Sequence, residues 1–277
     1  MFQESPAKDV EVNSLMLENT LNNLPGTIEH FVLVTGTKHY HGTFQDFNKN
    51  SKLPPFEEDF PRLPGVNFYY NQEDILFRKA KEIGFTWSVA RPAIMIGFSP
   101  RGDVNFGQAI AVYASICKHL NLPFRFPGGE RRSRDIYHDF TSSDFLAKHL
   151  IWEATEPRCA NEAFNVVNGD VVNMFTLWKE TAEYFNLEIL LDEDETPFNL
   201  VDFMKDKEVV WKDIAAKHNL KEIDFQEFAG CWFLERLLVT TFNDMNKSRE
   251  RGFLEYQNTR KSWQILFDSL RREKYIP

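Results

Sequence analysis

The chain has 277 residues, 43% hydrophobic and 26% charged, which suits one sizeable α/β domain or two small ones and excludes a disordered chain. Its net charge of −9 argues against a nucleic-acid-binding surface, which needs a clustered positive field; the short basic run Arg131, Arg132, Arg134 reads as a solvated loop. Three widely spaced cysteines, Cys117, Cys159 and Cys231, form neither a disulfide framework nor a zinc pattern and suit a reducing compartment.

Residues 13–24 are predicted helical, with Leu17, Leu21 and Leu24 at helical spacing and Leu24-Pro25-Gly26-Thr27 ending the helix. Phe31-Val32-Leu33-Val34 is a short apolar run before Thr35-Gly36, the pattern of a strand buried on both faces. From about Gly42 to Gly65, prolines and scarce periodicity predict a long loop, a length that usually serves a lid or a binding segment. Residues 69–83 form the next helix, with Leu76, Ala80 and Ile83 on one face. Trp87-Ser88-Val89-Ala90 is the next strand and Arg91-Pro92 its exit. A helix over residues 105–119 follows, then one opening at Thr141 with Phe145, Leu146, His149 and Leu150 on one face. Ala163-Phe164-Asn165-Val166-Val167 is again strand-like, closed by Asn168-Gly169. From Phe175 onward the chain is mostly helical and rich in aromatic residues. No stretch approaches the length of a membrane span, and the first residues resemble neither a signal nor a transit peptide, so a cytoplasmic protein is expected.

Alternating strands and helices predict an α/β fold with a parallel sheet, residues 1–170, and a mostly helical cap region, residues 171–277, interleaved with the core. Such a sheet binds ligands beyond the carboxyl ends of its strands, which privileges Thr35-Gly36-Thr37-Lys38-His39-Tyr40-His41. Lys38 there is either a solvated loop lysine or a catalytic cation. His39 and His41 would need a third ligand to form a metal site, and none is identifiable, so they are expected to serve the loop's own hydrogen bonds. In Asn67-Phe68-Tyr69-Tyr70-Asn71-Gln72-Glu73-Asp74 the aromatic pair either anchors a helix or carries chemistry, while Glu73 and Asp74 complement the helix dipole. A tyrosine near a lysine is suited to proton chemistry on a carbonyl, because a nearby cation lowers the phenol pKa from about 10. No glycine-rich dinucleotide turn, G-x-G-x-x-G or G-x-x-G-x-x-G, and no P-loop occurs among the 13 glycines.

These segments resemble motifs of the progesterone 5β-reductase and iridoid synthase family. Thr35 to Gly42 is similar to T-G-x-K-H-Y-x-G, Pro54 to Leu63 to P-P-[FY]-x-E-D-x-P-R-L, and Asn67 to Asp74 to N-F-Y-Y-x-x-E-D. Thr86 to Pro92 resembles T-W-S-V-x-R-P and Ile96-Gly97-Phe98-Ser99-Pro100 the turn after it. Asn161 to Asp170 resembles N-E-A-F-N-V-x-N-G-D, and Met245 to Phe253 resembles M-N-K-S-x-x-x-G-F.

The resemblance implies an incomplete Rossmann-like, short-chain-dehydrogenase sheet and NADPH-dependent reduction of the C=C bond of a small-molecule enone. It makes Lys38 and Tyr69 the catalytic pair, also in contact with the cofactor. Pro92, Ala93 and Met95 would line the nicotinamide, and Phe44 would face the substrate. Ordinary short-chain enzymes place the lysine four positions after the tyrosine, where this chain has Glu73. Trp232, Phe233 and Phe242 either cap a substrate pocket or pack in the core. The assembly is left open, a homodimer included.

Two departures stand out. Family members carry a glycine-rich phosphate loop upstream of this match, and Val34 stands where they generally have glutamine. The expectation is therefore a reductase without its N-terminal part, a short inactive remnant, or a half-enzyme completed by another chain. Loss of the first βαβ region would remove the helix N-terminus that holds a pyrophosphate and would bare an apolar sheet edge.

Overall fold

The computed structural model describes residues 5–42, 53–101, 105–127, 133–190, 198–229 and 239–277. In chain order the first elements are α1 (Pro6–Asn22), β1 (His30–Val34), α2 (Lys38–His41), α3 (Phe68–Ile83), β2 (Thr86–Pro92), β3 (Ile94–Ile96) and α4 (Phe106–Leu120). Next come β4 (Tyr137–His138), β5 (Phe140–Ser142), α5 (Ser143–Thr155), β6 (Glu162–Val166), β7 (Val172–Asn173) and α6 (Met174–Phe185). The last are α7 (Leu200–Met204), α8 (Glu208–His218), α9 (Phe225–Ala229), α10 (Asn246–Glu250) and α11 (Thr259–Arg272).

These elements sort into two compact units: Met1–Ala93, Asp144–Val167 and Phe242–Tyr256 in the first, Ile94–Ser143, Asn168–Thr241 and Gln257–Pro277 in the second. The chain therefore crosses between units several times. The physical reason is α4. Almost every residue from Phe106 to Cys117 is buried, and this all-round apolar helix packs with α6, α8, α9 and α11 in one core. Trp178, Trp211 and Trp263 lie in that core, with the Phe124 and Trp178 rings stacked 4.3 Å apart. Two short strand pairs, β3 with β5 (parallel) and β4 with β7 (antiparallel), complete the second unit. Thr141 belongs to β5 rather than opening a helix, since its segment is used in that pairing and α5 starts at Ser143.

The first unit is built on a parallel sheet of order β1-β2-β6. Val34 lies opposite Ala90, and Pro92 opposite Val166. Successive residues of the central strand face opposite sides, and each side meets its own apolar layer. Val89 joins Leu17 and Leu21 of α1, Leu33, and Leu76 and Ala80 of α3. Ala90 joins Phe145, Val166, Met245 and Phe253. Burial on both faces explains the uninterrupted apolar reading of these strands. Among the described residues β1 has one strand neighbour, and Val34 at its end is exposed.

Local signals set the helix ends. Ser5 caps α1 by accepting from the Lys8 amide, with Pro6 at the first helical position, so this helix begins well before residue 13. Gly84, at φ 94°, closes α3 in the left-handed conformation that glycine adopts without a Cβ penalty. No helix among the described residues is long and apolar enough to cross a membrane.

Candidate active site

The carboxyl ends of β1 and β2 carry the site. The strand ladder runs on past β1, with the Thr35 amide donating to the Ala90 carbonyl at 2.8 Å and the Thr37 amide to the Pro92 carbonyl at 3.1 Å. The chain then turns through the short helix α2, whose first residue is Lys38. Tyr69 enters from α3, capped by Asn67. The Lys38 ammonium lies 5.3 Å from the centre of the Phe68 ring and 5.8 Å from that of Tyr69, so the two residues singled out from the sequence meet. The Phe68 and Tyr69 rings are 4.5 Å apart, edge to face.

The two tyrosines divide the labour. Tyr70 donates its hydroxyl hydrogen to the His39 carbonyl at 2.6 Å and accepts from the Leu63 amide at 3.0 Å, so its hydroxyl is used inside the fold. The Tyr69 hydroxyl has no hydrogen-bond partner among the described residues and lies against Gly36. Burial pushes its pKa up to about 12. Desolvation, which disfavours the phenolate, thus shifts Tyr69 in the direction opposite to the lowering expected from a neighbouring cation. Tyr69 is a neutral O–H donor across the physiological range.

His39 and His41 are both buried. His39 Nδ1 is 3.5 Å from a Glu73 carboxylate oxygen, and no group of three or more metal-ligating residues exists among the described residues. Glu73 is likewise more than a helix-dipole partner. It is 2% exposed, and its carboxylate takes an Arg91 nitrogen at 3.0 Å and an Arg62 nitrogen at 3.0 Å. Arg91 also donates to the Tyr40 hydroxyl at 3.2 Å and to the Glu58 carbonyl at 3.1 Å. Tyr40 in turn donates to Asn165 Oδ1 at 2.5 Å, and Asn165 Nδ2 donates to the carbonyls of Phe56 and Asp244. This buried network fixes the two residues after Lys38. Its one sequence signal was Arg91, a charge inside a buried, mainly apolar strand that only partners could stabilise there.

Pro92 and Ala93 close the first unit at the end of β2, beside the Thr37 amide. Met95 sits in β3 of the second unit, opposite Thr141. Phe44, Trp232 and Phe233 lie outside the described residues. Phe242 accepts a backbone bond from the Phe56 amide at 2.9 Å. One further arrangement resembles a nucleophile triad: His149 contacts Glu153 at 2.8 Å and the Ser248 hydroxyl at 3.1 Å. All three are buried to 1% exposure or less, so this trio ties α10 to α5 and offers no access to a substrate.

A parallel sheet buried on both faces, with a lysine and a phenol unpartnered among the described residues near its strand ends, is the architecture of a Rossmann-like α/β oxidoreductase. The chain belongs to the family of the PRISE-like Rossmann-fold domain, whose pattern matches residues 1–277. It is 41% identical over 275 residues to the (S)-8-oxocitronellyl enol synthase CYC2 of Camptotheca acuminata, covering 96% of this chain and 70% of that one. It is 38% identical over 281 residues to a 3-oxo-Delta(4,5)-steroid 5-beta-reductase of Arabidopsis thaliana, covering 99% and 72%. Among solved structures, RMD from Pseudomonas aeruginosa complexed with NADPH matches with a TM-score of 0.63 at 15% identity, covering 98% of this chain and 76% of that one. The UDP-glucose 4-epimerase of Thermotoga maritima matches with a TM-score of 0.59 at 16% identity, covering 97% and 72%. These two likenesses show the fold.

Proposed function

We propose that the chain acts in NADPH-dependent reduction of the C=C bond of an α,β-unsaturated carbonyl compound. The observation that carries the reading is the Tyr69 hydroxyl, protonated and without a hydrogen-bond partner among the described residues, on a ring whose centre lies 5.8 Å from the Lys38 ammonium. The relatives' names, an enol synthase and a steroid 5-beta-reductase, supply the substrate class.

On this reading Lys38, Tyr69, Pro92 and Ala93 would hold the nicotinamide end of the cofactor. When bound, NADPH supplies the hydride that adds to the β-carbon of the enone. Tyr69 donates its O–H to the carbonyl oxygen on which enolate charge grows. A donor aimed at developing negative charge contributes about 3–4 kcal/mol in measured cases. The Lys38 ammonium raises the positive potential around that oxygen. For the diphosphate end, the 277 residues contain no glycine-rich turn of the usual form. A homodimer and a cytoplasmic setting accompany this reading.

Calorimetric titration of the purified chain with NADPH is the first test, followed by assays with small enones. Saturable binding, with turnover that falls about 100- to 1,000-fold in Tyr69→Phe, is the expected result. A folded chain that binds no NADPH would overturn the reading for the isolated polypeptide.

A further inference from the structure

We propose that Asn67 is a positioning residue that sets Lys38 and Tyr69 relative to one another. The inference takes its functional meaning from the reductase reading, but its geometry stands apart from it.

Asn67 is the N-cap of α3, with φ −142° and ψ 110°, and is 6% exposed. Its Oδ1 accepts from the Tyr69 amide at 3.1 Å, and its Nδ2 donates to the Lys38 carbonyl at 3.0 Å. The partners fix the orientation of this amide, because a backbone N–H only donates and a carbonyl only accepts. Capping a helix requires the acceptor alone, so aspartate or serine would satisfy that need equally well. The donor half is surplus to capping, and it is spent on the backbone of Lys38.

One short side chain thus bonds the main chains of both residues of the pair. The Lys38 carbonyl has two lone pairs, and its other partner is the Gly42 amide at 3.1 Å, which closes α2. The next tie is the Tyr70 hydroxyl on the His39 carbonyl, one residue further on. Asn67 Nδ2 thus fastens the backbone of Lys38 itself to the start of α3. The amide therefore converts a helix cap into a spacer between two elements that are far apart in sequence.

The test separates capping from positioning with Asn67→Asp, a good cap with no donor, and Asn67→Ser, a good cap whose hydroxyl ends one bond short of the position of Asn67 Nδ2. The chain is labelled with 13C-lysine, and the Lys38 ε-methylene resonance is assigned through Lys38→Arg. In the unaltered protein this resonance is displaced by ring currents, because the ammonium lies 5.3 Å and 5.8 Å from two ring centres. In both variants we expect helix content to be kept and the resonance to move toward the undisplaced lysines. Where turnover is measurable, kcat should fall by about 10- to 100-fold with KM changed much less. An unmoved Lys38 resonance in a folded variant would show that Asn67 only caps, and would overturn the proposal. If one variant fails to fold, the other decides. A moving resonance in a chain that never turns over an enone would sink the reductase reading and leave the role of Asn67 standing.

Discussion

The Tyr69 hydroxyl rests on Gly36: a Cβ at that glycine would lie 3.3 Å from the phenol oxygen and 3.3 Å from the Pro92 carbonyl oxygen. Both contacts are tighter than ordinary van der Waals spacing, and the carbonyl is held in the strand ladder, so the phenol is the group that must yield. Gly36→Ala is expected to fold, with Tyr69 displaced by a few tenths of an ångström. Enone turnover should drop about 10- to 100-fold while NADPH affinity changes little. Equal turnover in the two proteins would show that the placement of Tyr69 is not limiting.

The Glu73 carboxylate and the Arg91 guanidinium, 2% and 5% exposed, are a buried pair. Arg91→Leu leaves Glu73 with only the more exposed Arg62 and the His39 ring, and is expected to cost about 3–5 kcal/mol in urea unfolding. Adding Glu73→Gln to Arg91→Leu should recover part of that loss, because the uncompensated buried charge is then gone. A double variant no more stable than Arg91→Leu would mean that packing, not charge, dominates the cost.

The same carboxylate gives a pH dependence. Burial alone would raise the Glu73 pKa, but the His39 hydrogen bond and the Arg91 charge outweigh it and hold the value near 2, below the ordinary 4.5. A carboxylate depressed in the folded state stabilises fully above its unfolded pKa and loses that contribution as pH falls through its folded one. His39 adds in the same direction: burial lowers its pKa from 6.5, so protonation below that value favours the unfolded chain. Stability should therefore decline from about pH 6.5 downward and more steeply between about pH 4.5 and 2. In Glu73→Gln the lower part of that decline should flatten, as read from unfolding midpoints across the range.

Cys117 and Cys159 are buried, and burial pushes both thiols up to about 12. A thiol that far from ionisation is a poor nucleophile at neutral pH. Peptide mapping after alkylation of the native protein should find both unmodified, and both should react once the chain is unfolded. Labelling of either in the native state would contradict the packing around it.

Much of this was readable in the sequence. Strands such as Phe31-Val32-Leu33-Val34 announce themselves because burial on both faces demands an unbroken apolar run. Lys38 and Tyr69 were legible because the strand-end rule and a specific motif converge on them. Glu73 was misread as a dipole partner, since its role depends on Arg91, a strand residue whose pairing only the tertiary structure fixes. Thr141 was misread because a three-residue strand leaves no periodicity to detect. Which segments belong to which unit was not assignable for a related reason. The change from a mixed to a helical pattern near residue 170 marks composition, whereas unit membership follows which core each segment packs into.

Lys38 reaches Tyr69 from a strand-end turn rather than from one helical turn away, where Glu73 sits instead. Their separation is therefore a long-range property of the fold. A helical tyrosine–lysine pair would be assembled as soon as its helix formed, even in a collapsed intermediate. Here the pair exists only after α3 has docked beside the end of β1. Chemical competence and completion of the first unit become the same event, and a chain trapped short of that docking would hold both residues in place in its sequence yet carry no reactive centre.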